Sequence, residues 1–208
     1  MIIKKLTLKN YRCFEKLEVD FHDRITVLVG SNGAGKTSIL EGAAVSLGTL
    51  FTGLDGLTGM SISKKDAHLK AYQMGESEDI QPQYPVEIIA EGIVDAEEIK
   101  WERSLNGYGG STTIKGAKPM LDIAKSYQGR LRAGDRNLVL PVVAYYGTGR
   151  LWDYHREKRT DAFKENTKTN GYVDSLDGTA NIKLMMNWFR KKTVQAAQKN
   201  AVGLGSMH

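Results

Sequence analysis

Eight consecutive residues, Gly30-Ser31-Asn32-Gly33-Ala34-Gly35-Lys36-Thr37, match G-x-x-x-x-G-K-[ST] at every fixed position. Gly33 and Gly35 permit backbone angles that a side chain forbids, so successive N–H groups can turn inward toward one phosphate. Lys36 would reach the β- and γ-phosphates, and the Thr37 hydroxyl is the expected Mg²⁺ ligand. Ser38 would donate from the next turn. Each charge-assisted bond contributes roughly 1.5–3 kcal/mol, so several together hold a polyphosphate. The chemistry expected of this stretch is retention of a nucleoside triphosphate, ATP with Mg²⁺.

Such a loop works only between a buried strand and a helix whose first amides and dipole favour an anion. Both elements are expected here. Ile25-Thr26-Val27-Leu28-Val29 is almost continuously apolar and β-branched, the pattern of a strand covered on both faces. From Lys36 to about Leu50, Ile39, Leu40, Ala43, Ala44 and Leu47 recur at helical spacing. Two alternating runs, Ile3–Leu8 and Leu17–Phe21, precede the loop as half-buried strands. Residues 52–83 are rich in Gly, Ser, Lys and Asp without periodicity and read as a flexible stretch.

Further on, 86–92, 98–103 and 111–114 alternate between turn residues, which predicts an antiparallel meander within 84–116. A short helix is expected over Pro119–Ser126. Leu138–Tyr146 reads as a second buried strand, although Pro141 cannot donate to a ladder. Ala180 to about Ala201 reads as a helix with Ile182, Met185, Trp188 and Phe189 on its apolar side. The whole is expected as one domain, 1–202, with 203–208 a tail.

The chain has 208 residues, 41% hydrophobic and 25% charged, and no apolar run near the roughly 20 residues of a membrane span. A membrane partner is therefore not expected. One cysteine, Cys13, excludes an internal disulfide and a cysteine-pair metal site, and a cytoplasmic location is expected. The net charge of +5 is compatible with nucleic acid but does not demand it.

Leu8-Lys9-Asn10-Tyr11-Arg12-Cys13-Phe14, a second short strand, and the loop continued as Ser38-Ile39-Leu40-Glu41 together resemble the N-terminal half of ABC-type ATPases of the RecF/SMC/OLD group. Asn32 and the Leu40-Glu41 pair are typical of that group and exceed what the generic loop needs. Val143–Trp152 resembles a branch of bacterial AAA-labelled ATPases, some of them found in anti-phage defence systems. The resemblance implies an α/β fold: a P-loop NTPase core of ABC-ATPase type with an antiparallel β-lobe, covering the N-terminal half of a head. It also implies that Arg12 and Phe14 stand near the nucleotide. By the same resemblance the nucleotide is sandwiched between two heads, so a missing C-terminal half or partner subunit, or a homodimer, is expected. DNA or a nuclease is the implied partner.

Hydrolysis needs a carboxylate ending a buried strand to hold Mg²⁺ and a group that positions the attacking water. The nearest acids, Glu91 and Asp95, follow short apolar runs inside the predicted meander and read as exposed strand acids. Ser175-Leu176-Asp177-Gly178-Thr179 only superficially resembles the ABC signature turn and reads as a turn with Thr179 capping the last helix. Gly147-Thr148-Gly149-Arg150 offers no glutamine for the metal; either Thr148 or Arg150 substitutes or the role is lost, with Arg150 the phosphate-facing candidate.

Two other readings stand beside the ATPase. One is a non-catalytic interaction module that retains the loop. The other is a GTP-binding switch, for which Ser63-Lys64-Lys65-Asp66 is an imperfect guanine-binding motif. If DNA binds, Lys64-Lys65, the charge-dense residues 155–168 and Arg190-Lys191-Lys192 beside Trp188 and Phe189 are the candidates.

Overall fold

A computed structural model describes residues 1–75, 77–148 and 168–177, together with Met186, Phe189, Arg190 and Thr193. The chain divides into two compact units, Met1–Val143 and Ala144–His208.

The first unit is built on a four-stranded antiparallel sheet of order β2-β1-β5-β6. Its strands are β1 (Ile2–Tyr11), β2 (Phe14–Asp20), β5 (Val86–Val94) and β6 (Glu97–Leu105). Between β2 and β5 lie helices α1 (Lys36–Leu47) and α2 (Thr49–Thr52), then the hairpin strands β3 (Leu69–Met74) and β4 (Ser77–Pro82). Helix α3 (Lys118–Arg132) follows β6.

Alternation decides the buried face. Leu6 and Leu8 of β1, and Val86, Ile88, Ala90 and Val94 of β5, are buried on one side. Register pairs Leu6 with Ala90 and Leu8 with Ile88, so these side chains form one apolar floor. Helix α1 lies on it at close range: a Cβ on Gly42 would come within 2.8 Å of Leu8 Cδ2. Strand β6 is riveted to the far end of that helix. The buried Trp101 indole donates to Ser46 O at 2.9 Å, and Arg103 Nη1 donates to Thr49 Oγ1 at 3.3 Å. Helix α3 contributes Met120, Ala124 and Tyr127 to the core, an i, i+4, i+7 stripe, and Arg130 and Arg132 in its last turn suit the helix dipole.

Two tight turns shape the sheet. Val94 pairs with Glu97 across Asp95 and Ala96, both at positive φ (52° and 67°), the conformation a two-residue antiparallel turn needs. Tyr11 pairs with Phe14 across Arg12 and Cys13, and Arg12 takes φ 53°.

Several expectations need correction. Ile25–Val29 is not a covered strand: Ile25 and Val27 are 75% exposed and Val29 90%. A β-branched run is buried only where strands flank it, and among the described residues none pairs with this one. Residues 138–146 likewise form no strand: Val139 and Val142 are exposed, while Leu138 and Val143 are buried. Residues 52–83, expected as flexible, carry a 3-10 turn at Lys64–Asp66 and the β3–β4 hairpin. The segment 111–114 forms no strand; it runs beside β6 through Thr113 N–H to Ser104 O at 2.7 Å. Helix α3 is longer than the expected 119–126.

In the second unit a 3-10 helix spans Lys168–Tyr172, and Tyr145 N–H donates to Ser175 O at 2.7 Å. Thr169, Tyr172 and Leu176 are buried there. Most of the helix expected over 180–201 lies outside the described residues, and Phe189, expected on its apolar side, is exposed.

Candidate functional site

The loop Gly30–Thr37 stands open to solvent between the exposed segment 25–29 and helix α1. Gly33 and Gly35 both take φ 84°, the left-handed region that excludes most side chains. A Cβ on Gly33 would meet nothing within 4 Å, so the space above it is clear. On Gly35 a Cβ would collide with Phe14 Cζ at 2.3 Å and Cys13 Sγ at 2.7 Å; the β1–β2 turn therefore supports the loop from below.

Gly35 caps α1 without a side-chain hydrogen bond. Within the loop Ala34 N–H donates to Ser31 O at 3.3 Å, and Ile39 N–H is the first to close a helical bond, to Gly35 O at 3.0 Å. Among the described residues the amides of Gly33, Gly35, Lys36, Thr37 and Ser38 donate to no loop or cap acceptor. These are the donors that a phosphate at a helix start would satisfy. Lys36 Nζ spans the loop, donating to Gly30 O and Ser31 O at 2.7 Å each. Its ammonium is thus held against the first two carbonyls of the loop. Thr37 is exposed on the first turn, whereas Ser38 is buried.

Arg12 flanks this arrangement. Its guanidinium pairs with Glu41, one turn along α1 from Thr37, and with Asp66 Oδ1 at 2.8 Å. Burial works against the arginine's charge, but Tyr11 and the hydrogen bonds that the guanidinium donates to Asp66 and Glu41 outweigh it and raise its pKa. Asp66 Oδ2 accepts from Ser63 N–H at 2.8 Å, and Lys65 N–H donates to Ser63 Oγ at 3.3 Å. Ser63–Asp66 is therefore a capping box. Both Asp66 oxygens are engaged, which weighs against its use as a guanine acceptor.

The neighbouring acids take structural places. Glu91 accepts from Lys100 Nζ at 2.7 Å on the sheet, and Asp95 lies in the β5–β6 turn. Thr148 belongs to the second unit, and Arg150 and residues 155–167 lie outside the described residues. Among the described residues no cluster of His, Cys, Asp or Glu could hold a metal ion. No described helix is long and apolar enough to cross a membrane. Lys64 Nζ sits 4.9 Å from the centroid of the exposed Tyr108 ring.

Residue types alone did not reveal the roles of Glu41 and Asp66. Two signals were available: Glu41 stands four residues after Thr37, hence on the same helix face, and Ser63-x-x-Asp66 is the capping-box pattern.

Comparison with known families matches residues 5–201 to an AAA domain. This chain belongs to the AAA domain family. Within it this AAA domain is of the RecF/SMC-like, ABC-type kind that the loop and the Leu8–Phe14 stretch resemble. It is 49% identical over 41 residues to the DNA replication and repair protein RecF of Bacillus thuringiensis, a match covering 20% of this chain and 11% of that protein. RecF proteins of Bacillus cereus and Bacillus anthracis match with the same identity and coverage. The AAA domain therefore aligns with only about a tenth of the length of these curated relatives.

Proposed function

We propose that this AAA domain binds ATP with Mg²⁺ through Gly30–Thr37, as the ATP-binding segment of a RecF/SMC-like ABC-type ATPase head. The observation that carries the reading is the loop itself. It is open, has two glycines at φ 84°, presents uncommitted amides and holds Lys36 Nζ on its first two carbonyls. The amides of Gly33 and of Gly35 through Ser38, with the Lys36 ammonium, hold the phosphates, and the Thr37 hydroxyl faces the metal. Bound Mg²⁺ would neutralise charge on the β- and γ-phosphates.

The exposed Ile25, Val27 and Val29 support the second half of the proposal. Such a run beside a phosphate loop calls for flanking strands, and a C-terminal half or partner subunit is the element that supplies them. Among the described residues Glu91 and Asp95 serve the sheet and its turn, and we assign the metal-holding carboxylate to that same element. Nucleotide-dependent association then acts in DNA transactions, repair or phage defence. The printed role of the RecF relatives, DNA replication and repair, supports the DNA part.

Calorimetric titration of the 208-residue chain with ATP, ADP and GTP in Mg²⁺ tests the reading. ATP is expected to bind, Lys36→Ala to abolish binding, and phosphate release by this chain alone to be negligible. Preference for GTP, or unchanged affinity in Lys36→Ala, overturns it. Measurable phosphate release would show that the chain holds its own catalytic carboxylate.

A further inference from the structure

We propose that Tyr108 and the lysines around it form a surface for single-stranded nucleic acid, the Tyr108 ring stacking on a base while Lys64, Lys65, Lys115 and Lys118 face the phosphates. The inference rests on the DNA part of the reading above and not on ATP at the phosphate loop.

Two segments of the first unit meet here, 56–65 and 105–121. Thr112 Oγ1 accepts from Ile62 N–H at 2.9 Å and donates to Ile62 O at 3.1 Å, which ties them side by side. The Ser63–Asp66 capping box fixes the turn that carries Lys64 and Lys65. The root of the other loop is closed on β6. Thr113 N–H donates to Ser104 O at 2.7 Å, the two hydroxyls meet at 2.8 Å, and the buried Arg103 donates from Nε to Thr113 O at 3.1 Å. From that fixed root a tight turn stands out: Gly110 N–H donates to Gly107 O at 3.0 Å, with Tyr108 at the crest. A Cβ on Gly107 or Gly109 would meet nothing within 4 Å. The tyrosine is 66% exposed, and Lys64 Nζ lies 3.3 Å from its hydroxyl and 4.9 Å from its ring centroid. The lysine orders the ring, so less freedom is lost when a base stacks on it.

Neither segment contains an acidic residue, and all four lysines are exposed. Among the described residues none of the four pairs with a carboxylate. The adjoining acids are spent elsewhere. Asp66 is buried on Arg12 and Ser63 N–H, and Glu102, behind Gly116, acts on Lys9. A surface of one sign draws a polyanion. The exposed ring decides which one: an aromatic face among ammonium groups matches a strand whose phosphates alternate with bases free to stack. A duplex keeps its bases stacked on each other, and an acidic peptide brings carboxylates without repeated planar bases.

The test is the anisotropy of a labelled oligothymidylate of about 16 nucleotides titrated with the full chain. Binding is expected to be tighter than to a duplex of equal length and to weaken as salt rises. Tyr108→Ala should weaken it about tenfold, and Tyr108→Phe should keep it, because the ring stacks and the hydroxyl does not. Lys64→Gln and Lys115→Gln should each weaken binding and flatten its dependence on log salt by about 0.7. The Tm and the ATP affinity of Tyr108→Ala should stay at wild-type values. Equal affinity for duplex and single strand with Tyr108→Ala unaffected would overturn the proposal, as would equal losses in Tyr108→Phe and Tyr108→Ala. Displacement by polyglutamate as readily as by unlabelled oligothymidylate, or no binding at all, would do the same. A chain that binds the oligonucleotide but no ATP leaves this proposal standing and refutes the phosphate-loop reading; a chain that binds ATP alone does the reverse.

Discussion

Phe14 lies directly beneath Gly35: a Cβ built on the glycine would sit 2.3 Å from the ring's Cζ, so the aromatic side chain forms the floor of the phosphate loop. Gly35 also takes φ 84°. Gly35→Ala must therefore move the ring or the loop, on top of the left-handed backbone cost of roughly 1–2 kcal/mol. Gly33→Ala carries the backbone cost without the collision, because nothing lies within 4 Å of its Cβ position. Gly35→Ala is expected to lower Tm more than Gly33→Ala and to abolish ATP binding. Thermal unfolding and calorimetry on the two variants check the order.

Trp101 joins β6 to the end of α1 through its indole N–H on Ser46 O. Trp101→Phe removes that donor and leaves a buried carbonyl without it, an expected loss of about 1–3 kcal/mol. Trp101→Ala adds a cavity, for about 3–5 kcal/mol in all. Urea unfolding of both variants measures the difference; equal stability of Trp101→Phe and wild type would remove the hydrogen bond from the account.

Position 27 and position 8 separate solubility from core packing. Val27 is 75% exposed, and Val27→Lys should change the stability of this chain by within about 0.5 kcal/mol. Leu8 is fully buried under α1, and Leu8→Ala should cost about 2–5 kcal/mol. Where a C-terminal half or partner subunit is supplied, Val27→Lys should block association without unfolding the chain. Denaturant melts and co-purification read the two effects separately.

Glu18 accepts from Lys5 and Lys16 on the open face of the β1–β2 hairpin, and these bonds hold its pKa down to about 2 from the ordinary 4.5. A carboxylate with a depressed folded-state pKa stabilises the fold above its unfolded value, and that contribution is lost as pH falls from 4.5 through about 2. The side chain is exposed, so salt should weaken the effect. An NMR titration of the Glu18 carboxyl should give a midpoint near 2, and Lys5→Ala should raise it. A midpoint near 4.5 in the wild type would show that the pairs do not persist in water.

Local patterns carried much of the sheet. Strands β1, β2, β5 and β6 follow from period-two alternation, and α1 from its apolar spacing after Gly35, because in each case the signal lies within one element. The β3–β4 hairpin was missed: its residues are mostly exposed on both faces, so no alternation of burial marked them. The segment 25–29 was misread in the opposite sense. Its apolar run states what the strand needs, not whether a neighbour is present.

The candidate site divides the same way. Glycine at 33 and 35, lysine at 36 and threonine at 37 are chemical requirements of one contiguous loop, and contiguous requirements are written in residue order. Arg12, Glu41 and Asp66 are 29 and 25 residues apart in turn, and no local rule pairs them. The type and spacing of residues in this chain therefore determined the phosphate loop, its helix and most of the sheet. Only the tertiary structure decided that Arg12 faces two carboxylates, that Phe14 underlies Gly35 and that Ile25–Val29 lies uncovered, because those depend on which distant segments the folded sheet brings together.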